Sequence, residues 1–366
     1  MKNIKTLAII TLSFFLILTS CNRRSTEQEV EDYAVEEKCV IEDGYFLLLK
    51  DNNTISLNTY RDGKIYEHRT FAILSEHSLF ATDQKERVVI VDISCTQFRM
   101  IERIMLYEIQ TSNKIELPIP YEIHAKTILL NADNLFVGGA GNELLVQYHI
   151  QNEQWYGLEI PSEIHRPFGR AIDDLVVNDS LLIAIDNIVM PKFIIFYHLN
   201  STGELALSHF RRLRMNGAGE YMRQGRITPD FLGISSSTFG GWAGSQEYIT
   251  IYRDLDLRYS FAVELESVAQ TRTRINTIND FIIVGNKLFV AHRNNGLGVL
   301  EIQDSFFQAG WHKNREFNAK VDSNKVNYQA FENEEVIRLT LIPDTTKIVL
   351  TIRNSLGKIR HEIIQA

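Results

Sequence analysis

The chain is poor in the residues and motifs on which many catalytic and cross-linked folds depend. Its 366 residues include three cysteines, seven prolines and three tryptophans. It contains no Gly-x-Ser-x-Gly, HExxH or Walker motif and no paired CxxC, so it carries no signature of those enzymes or metal sites. The segment GGAG at 138–141 lacks the following helix that a dinucleotide site requires. Helical periodicity is almost absent, which predicts an all-β protein.

Long apolar runs are also scarce, and the one that is present lies near the start. It extends from Leu7 to Leu18, after Lys2 and Lys5, and is shorter than the roughly 20 residues of a spanning helix. We therefore predict a signal peptide over residues 1–20. The following LTSC, residues 18–21, resembles the lipobox of bacterial lipoproteins, which implies that Cys21 carries acyl chains that hold the protein at a membrane. An uncleaved anchor and ordinary cleavage that leaves a free cysteine are the alternatives.

After Cys21, the chain is polar and acidic as far as residue 38. This composition predicts a solvated tether over residues 21–38. Loss of the leader leaves 36 basic and 46 acidic residues, a balance that argues against nucleic-acid binding. The other two cysteines, Cys39 and Cys95, would either form a disulfide in an oxidising envelope compartment or remain two separate buried thiols.

Internal repeats account for the length of the remaining chain, residues 39–366. The segment 172–184 (IDDLVVNDSLLIA) matches 278–291 (INDFIIVGNKLFVA) with one inserted residue, and 128–139 (ILLNADNLFVGG) is a third copy. Each joins two apolar runs through a polar turn, the pattern of a β-hairpin. A looser series places the starts of second strands at Tyr45, Leu79, Leu135, Leu181, Phe231, Leu288 and Ile337. Most intervals are near 50 residues, within the range of propeller blades.

A ring of such sheets buries both faces of every sheet against its neighbours. The sequence therefore predicts a β-propeller, with seven blades favoured by the seven starts and six as the alternative count. An array of β-sandwiches is the other architecture that these strands would permit.

The cysteine at 21, the acidic tether and the propeller repeats together resemble the lipid-anchored propeller proteins of Bacteroidetes-type envelopes. The segment NGAGEYMRQGRI, 216–227, is similar to the Gly-x-Gly-Pro-Gly-Glu-aromatic loop of many six-bladed members, with Ala218 in place of proline. The resemblance implies an outer-membrane location, with the periplasmic or surface side left open, and it suggests shape more than chemistry.

Arginines are concentrated in the later connections between blades. In a propeller these connections open on the same face as the loops that join second to third strands. We expect them to form a site for a carboxylate, sulfate or phosphate group. Trp242, in the loop 235–246, would stack on a sugar ring. Pairing with nearby acids such as Asp173, Asp174 and Glu220 is the alternative role. The candidate arginines are Arg166, Arg170, Arg212, Arg214, Arg223, Arg226, Arg272 and Arg274.

Two related segments, IPYEIH at 119–124 and IPSEIH at 160–165, end successive blades. They predict equivalent positions for Glu122 with His124 and for Glu163 with His165. Histidine and carboxylate together can ligate a divalent metal such as zinc, the one cofactor that the sequence suggests. The alternative is a repeated blade-exit motif whose Glu and His face water.

These features favour a non-catalytic binding module, anchored in the cell envelope by lipid, that recognises an anionic glycan, a peptide or a partner protein on its loop face. The alternative is a propeller hydrolase or lyase acting on acidic sugars or lactones, with metal-held water or a His/Arg pair. The binding module requires fewer residues that the sequence does not mark.

Overall fold

The computed structural model describes most of the chain from residue 44 to residue 366. The segments outside the description are 1–43, 52, 76, 95–99, 112, 121–122, 161–170, 179–180, 187–191, 201–204, 214–219, 239–244, 254–256, 258, 269–275, 310, 313–314 and 317–318. The predicted signal peptide and tether, and Cys21, Cys39 and Cys95, lie outside the described residues. Within the described part, no helix is long and apolar enough to cross a membrane.

Seven sheets of three or more strands follow one another along the described residues, and we number them as blades 1 to 7. The strands of the first three blades are as follows. Blade 1 has Phe46–Asp51 (β1), Thr54–Arg61 (β2) and Lys64–Ala72 (β3); blade 2 has Leu79–Thr82 (β4), Arg87–Ile93 (β5), Ile101–Glu108 (β6) and Lys114–Leu117 (β7); blade 3 has Ile123–Asn131 (β8), Asn134–Gly141 (β9), Leu145–His149 (β10) and Gln154–Gly157 (β11).

The later blades continue the same sequential pairing. Blade 4 has Ile172–Val177 (β12), Leu181–Asp186 (β13), Lys192–Leu199 (β14) and Leu205–Leu213 (β15); blade 5 has Glu220–Ile227 (β16), Phe231–Thr238 (β17), Ser245–Arg253 (β18) and Tyr259–Val268 (β19); blade 6 begins with Ile278–Val284 (β20), Lys287–His292 (β21) and Gly296–Glu301 (β22). Blade 7 has Glu334–Leu341, Lys347–Asn354 and Ile359–Gln365 among the described residues.

An excursion between residues 302 and 333 connects blades 5, 6 and 7. Its strands Gln308–Ala309 (β23) and Ala319–Val321 (β26) pair with β19 of blade 5, and Trp311–His312 (β24) pairs with Arg315–Glu316 (β25). Asn327–Gln329 (β27) is the fourth strand of blade 6, and the strands of blade 7 are therefore β28, β29 and β30. Two short 3₁₀ turns, Asp304–Phe306 and Ser323–Lys325, are the helical elements found in the described residues.

The second strands are apolar on both sides because both faces of each sheet are covered. In β13, Ile183 and Ile185 pack toward blade 5, whereas Leu182 and Ala184 pack toward blade 3. Successive side chains of a strand point to opposite faces, so an interior sheet of a propeller needs apolar residues at every position. This explains continuous runs such as LLIAI, which do not alternate as a half-exposed strand would.

Seven apolar clusters lie between successive blades and close the ring. The cluster of blades 7 and 1 contains Phe46 and Leu48 of β1 with Ile342 and Val349, the latter in β29. Leu47, between those two β1 residues, packs toward blade 2. The first and last blades of the described chain are therefore in direct contact, and the architecture is a seven-bladed propeller. The six-bladed and sandwich alternatives are excluded.

The three hairpin copies are confirmed as first and second strands of blades 3, 4 and 6. Three of the predicted second-strand starts are wrong: Tyr45 directly precedes β1, Leu79 begins β4 and Ile337 lies in β28, and all three are the first strands of their blades. The actual second strands, β2, β5 and β29, contain the apolar runs TISLNTY, RVVIVDI and KIVLTIR. The error arises because first and second strands are both apolar, so hydrophobicity does not distinguish them.

Replacement of Phe289 by aspartate tests the packing between blades. Phe289 is 2 % exposed and packs between blades 6 and 7. We expect Phe289→Asp to lower the free energy of unfolding by about 4 kcal/mol, because a charge would replace a buried ring. The matched control is Leu356→Asp, at a residue that is 90 % exposed in the turn before β30. Urea unfolding midpoints should fall for the first variant and stay unchanged for the control; equal midpoints would contradict the packing.

Candidate functional site

β-bulges on five innermost strands direct side chains into the axis of the ring. The pairing of first and second strands shifts by one residue in blades 3, 4, 5, 6 and 7. At a bulge, two residues of one strand lie opposite a single residue of its partner, which changes the direction of the side chains at that point. In every case the bulged residue and the residue after it line one axial cavity, as the pairs Lys126 and Thr127, Asp173 and Asp174, Arg223 and Gln224, Asn279 and Asp280, and Ile337 and Arg338.

The axial cavity has a volume of about 580 Å³. Ser78, Leu79 and Phe80 of blade 2 complete its lining, together with Ile128 and Arg226. Pockets of roughly 300–1,000 Å³ hold small molecules or the end of a chain, not a folded partner. The geometry therefore fits a small ligand or a protruding group of a larger one.

The described lining is rich in charge of both signs. Lys126, Arg223, Arg226 and Arg338 contribute four cations. Three carboxylates, those of Asp173, Asp174 and Asp280, face them across the same cavity. The chemistry of the cavity depends on which of these groups pair with one another.

Arg226 is held between two carboxylates from different blades. Its Nη2 lies 2.5 Å from Oδ1 of Asp280, and its Nη1 lies 3.5 Å from Oδ2 of Asp174. The guanidinium also lies over the ring of Phe281, 5.6 Å from its centroid. Burial by itself would lower the pKa of Arg226, but Asp280 and Asp174 outweigh it and raise that pKa. Arg226 is thus a structural cation that connects blades 4, 5 and 6.

The same two carboxylates bind backbone groups of the next blade. Oδ2 of Asp174 accepts from the N–H of Gly225 at 2.7 Å, and Oδ2 of Asp280 accepts from the N–H of Leu339 at 3.0 Å. Each aspartate also accepts from the N–H of the residue that follows it. An innermost strand has one unpaired edge, so these side chains satisfy N–H groups that neighbouring strands do not. Asp174 and Asp280 therefore link successive blades at the axis.

Lys126 and Arg223 are also paired. Nζ of Lys126 lies 2.5 Å from Oδ1 of Asp173 in the next blade. Nη1 of Arg223 lies 3.2 Å from Oε1 of Glu247, whose side chain is fully buried. Oε2 of Glu247 accepts from the N–H and hydroxyl of Thr277. A buried carboxylate with these partners fixes Arg223 from behind.

Arg338 differs from the other three cations of the lining. Its guanidinium lies over the ring of Phe80, 4.6 Å from the centroid. Among the residues that the structure describes, it has no hydrogen bond or ion pair. Burial lowers the pKa of Arg338, Asp280 partly opposes this, and Arg226 lowers the pKa further. The positive charge of Arg338 is therefore the least compensated in the cavity.

The structure describes three of the eight predicted arginines, and two of these three lie on one innermost strand. Arg223 and Arg226 lie on β16, the innermost strand of blade 5, and not in a connection between blades as expected. Both pair with acidic residues, and Asp174 is one of the partners that the sequence suggested. Arg212 lies at the end of the outermost strand of blade 4. The others, Arg166, Arg170, Arg214, Arg272 and Arg274, together with Trp242, fall outside the described residues.

The structure describes one of the four residues of the predicted metal site. His124 is the second residue of β8, whereas Glu122, Glu163 and His165 lie outside the description. The part of the chain that is described contains no group of three or more His, Cys, Asp or Glu side chains arranged to hold a metal ion. The metal site stays a prediction.

Sequence reasoning missed Lys126, Asp280 and Arg338 as cavity residues. A signal for one of them was present, because the hairpin copies align Asp174 with Asp280. Bulges leave no mark in a hydrophobicity pattern, so Lys126 and Arg338 could not be assigned to the axis before the pairing was known.

The strand pairing and the axial lining define the chain as a seven-bladed β-propeller with a charged central cavity. No protein-family model and no curated protein matches the chain. Among solved structures, BamB from Moraxella catarrhalis is similar with a TM-score of 0.45 and 12 % identity, over 89 % of this chain and 95 % of that one. Sqt1 from Saccharomyces cerevisiae gives 0.49 and 10 %, over 88 % and 82 % of the two chains.

A third similar structure is the extracellular domain of the putative one component system BT4673 from B. thetaiotaomicron. Its TM-score is 0.45 at 13 % identity, and the match covers 87 % of this chain but 38 % of that one. Such likenesses concern the fold and not the chemistry of the cavity.

Replacement of Arg226 tests its structural role. We expect Arg226→Met to lower the free energy of unfolding by about 3 kcal/mol, because Asp174 and Asp280 would lose their shared cation while still partly buried. Arg61→Met is the control, since Arg61 is 69 % exposed and meets Asp62 only at 3.8 Å. Adding Asp280→Asn to Arg226→Met should recover part of the loss. Urea unfolding measures all three, and an Arg226→Met variant as stable as Arg61→Met would disprove the role.

Proposed function

We propose that the protein is a non-catalytic binding module of the cell envelope that holds an acidic ligand at its axial cavity and the adjoining loop face. The observation that carries the proposal is the convergence of Lys126, Arg223, Arg226 and Arg338 on one cavity in a chain with 38 basic and 46 acidic residues. These four cations outnumber the three carboxylates of the described lining, so the cavity keeps a positive formal charge that attracts anions on an otherwise acidic protein.

The cavity is suited to binding because its side chains are held before any ligand arrives. Three of the four cations are fixed by carboxylates, and the strands that carry them belong to the closed ring. Preorganised groups lose little conformational entropy on binding. The three lining carboxylates have cationic or backbone partners, so none is poised as a free general base, which supports binding over catalysis.

The connections between blades extend this site in the proposal. Arg214 lies between β15 and β16, and Arg272 lies between β19 and β20, so both belong to connections that enter innermost strands. These connections and the loop containing Trp242 open on one face of a propeller. A glycan or peptide with several acidic groups would then place one group in the cavity and others against the loop arginines.

A binding panel tests the proposal with the full-length protein in detergent. We expect oligogalacturonate or poly-glutamate to bind and the neutral cellohexaose not to bind, with affinity that falls as salt is raised. Arg214→Gln with Arg272→Gln should weaken binding several-fold without a change in the unfolding midpoint. Arg223 is not substituted, because its loss would leave the buried carboxylate of Glu247 without its cationic partner. Absence of binding to every acidic probe, or turnover of the oligogalacturonate, would refute the proposal.

The lipid tether at Cys21 is the second part of the proposal, and it rests on the lipobox-like LTSC segment at 18–21. Acyl chains add about 0.8 kcal/mol of membrane affinity per buried methylene, so two or more chains give stable anchoring. We expect the protein expressed in a Gram-negative host to incorporate an alkyne-labelled palmitate and to sediment with membranes. Cys21→Ser should abolish the label, whereas Cys39→Ser should retain it. Label that persists in Cys21→Ser would disprove the anchor.

A further inference from the structure

Arg338 and Phe80 form a distinct feature of the axial cavity. They come from blades 7 and 2, on β28 and β4, and meet with the guanidinium 4.6 Å from the ring centroid. Other arginines of the lining have carboxylate partners, as described above. A guanidinium that lies against an aromatic face keeps its edge donors directed away from the ring, toward whatever occupies the space beside it.

The backbone around Arg338 is fixed. A bulge lies between Val336 and Arg338, and the next N–H, that of Leu339, donates to Asp280 at 3.0 Å. Val336 is fully buried between blades 6 and 7. The guanidinium is therefore presented from a rigid strand and not from a loop, which favours a geometrically defined contact.

The other charges in the cavity limit which anions fit. Asp173, Asp174 and Asp280 line the same space, so a dianion such as phosphate would meet more repulsion there than a monoanion would. A monoanion that takes both oxygens to one guanidinium meets less repulsion. The fork of Arg338 matches a carboxylate in this bidentate manner.

The apolar part of the lining indicates what the carboxylate is attached to. The apolar residues of the described lining are Leu79, Phe80, Ile128 and Ile337. A flat or apolar body beside the carboxylate would fill this side of the cavity.

We propose that Arg338 and Phe80 form a subsite for a single carboxylate group carried on a flat or apolar body. This inference rests on the proposed function and names the chemistry of the group that enters the axial cavity. The bound carboxylate accepts two hydrogen bonds from Arg338, and its body packs against Phe80.

The probe for this subsite is benzoate, with benzamide as its neutral counterpart and inorganic phosphate as the competing anion. Saturation-transfer NMR on the full-length protein in detergent should show benzoate contacts and weaker or no contacts for benzamide. Phosphate at equal concentration should not displace benzoate. Equal binding of benzoate and benzamide, or displacement by phosphate, would overturn the proposal.

Substitutions assign the binding to Arg338. We expect Arg338→Gln to weaken benzoate binding about tenfold or more, as loss of a charge-assisted pair of hydrogen bonds predicts. Arg338→Lys, which keeps the charge without the fork, should give an intermediate loss, and Phe80→Leu should weaken benzoate but not alter the preference for an anion. Arg61→Gln is the matched control at an exposed arginine and should bind as the unchanged protein does.

Stability measurements separate a folding defect from a lost subsite. Because Arg338 has no ion pair among the described residues, Arg338→Gln should unfold at the same urea concentration as the unchanged protein. If Arg338→Gln does unfold earlier, Arg338→Lys carries the binding test, and unchanged benzoate affinity in both variants disproves the subsite.

The panel of acidic polymers distinguishes the two proposals. Binding of oligogalacturonate without binding of benzoate would remove this subsite and leave the proposed function standing. Failure of every acidic probe would remove both.

Discussion

The burial of both faces of every blade is the constraint on which the rest of the structure depends. A four-stranded sheet has two faces, and in a closed ring each face packs on a neighbour through its own apolar cluster. β1 shows this within three residues, since Phe46 and Leu48 pack on blade 7 and Leu47 packs on blade 2. If any one of these clusters failed to form, two blades would expose apolar faces at once.

Ring closure also creates the axial cavity and determines what lines it. Innermost strands meet around the axis with unpaired edges, and unpaired N–H groups in a partly buried place are costly unless something accepts from them. Asp280 accepts from the backbone with one oxygen and binds Arg226 with the other, whereas Oδ2 of Asp174 contacts both the N–H of Gly225 and Arg226. The carboxylates at the axis therefore first satisfy backbone N–H groups and neutralise Arg226. Only charge that is not paired in this way is available to a ligand.

Much of the fold followed from the sequence because its repeats are hairpins with apolar runs on both strands. The seven-bladed ring and the hairpins at 128–139, 172–184 and 278–291 were predictable in this way. The positions of Tyr45, Leu79 and Ile337 within their blades were not, since first and second strands carry similar hydrophobicity. A pattern of buried faces determines which strands exist, but not their order from the axis outward.

The site was less predictable for a different physical reason. The sequence points to Arg223 and Arg226 because arginines are frequent in that region. In the structure both have acidic partners on neighbouring strands. Lys126 and Arg338 stand isolated in the sequence and reach the cavity through bulges, which depend on register and not on composition. The local density of arginines in the sequence thus indicated a positively charged region, but it did not identify which side chains face the axis.

The separation of roles among the cations follows from the same geometry. A cation between two blades that both supply carboxylates, as Arg226 is between Asp174 and Asp280, contributes to the ring and has little charge left for a ligand. A cation whose neighbour is an aromatic ring, as Phe80 is for Arg338, is desolvated without being neutralised. Such a group gains more from an incoming anion than a paired one does, because the anion replaces no existing partner. The uneven pairing around the axis therefore leaves Arg338 of blade 7, beside Phe80 of blade 2, as the least compensated cation of the described lining.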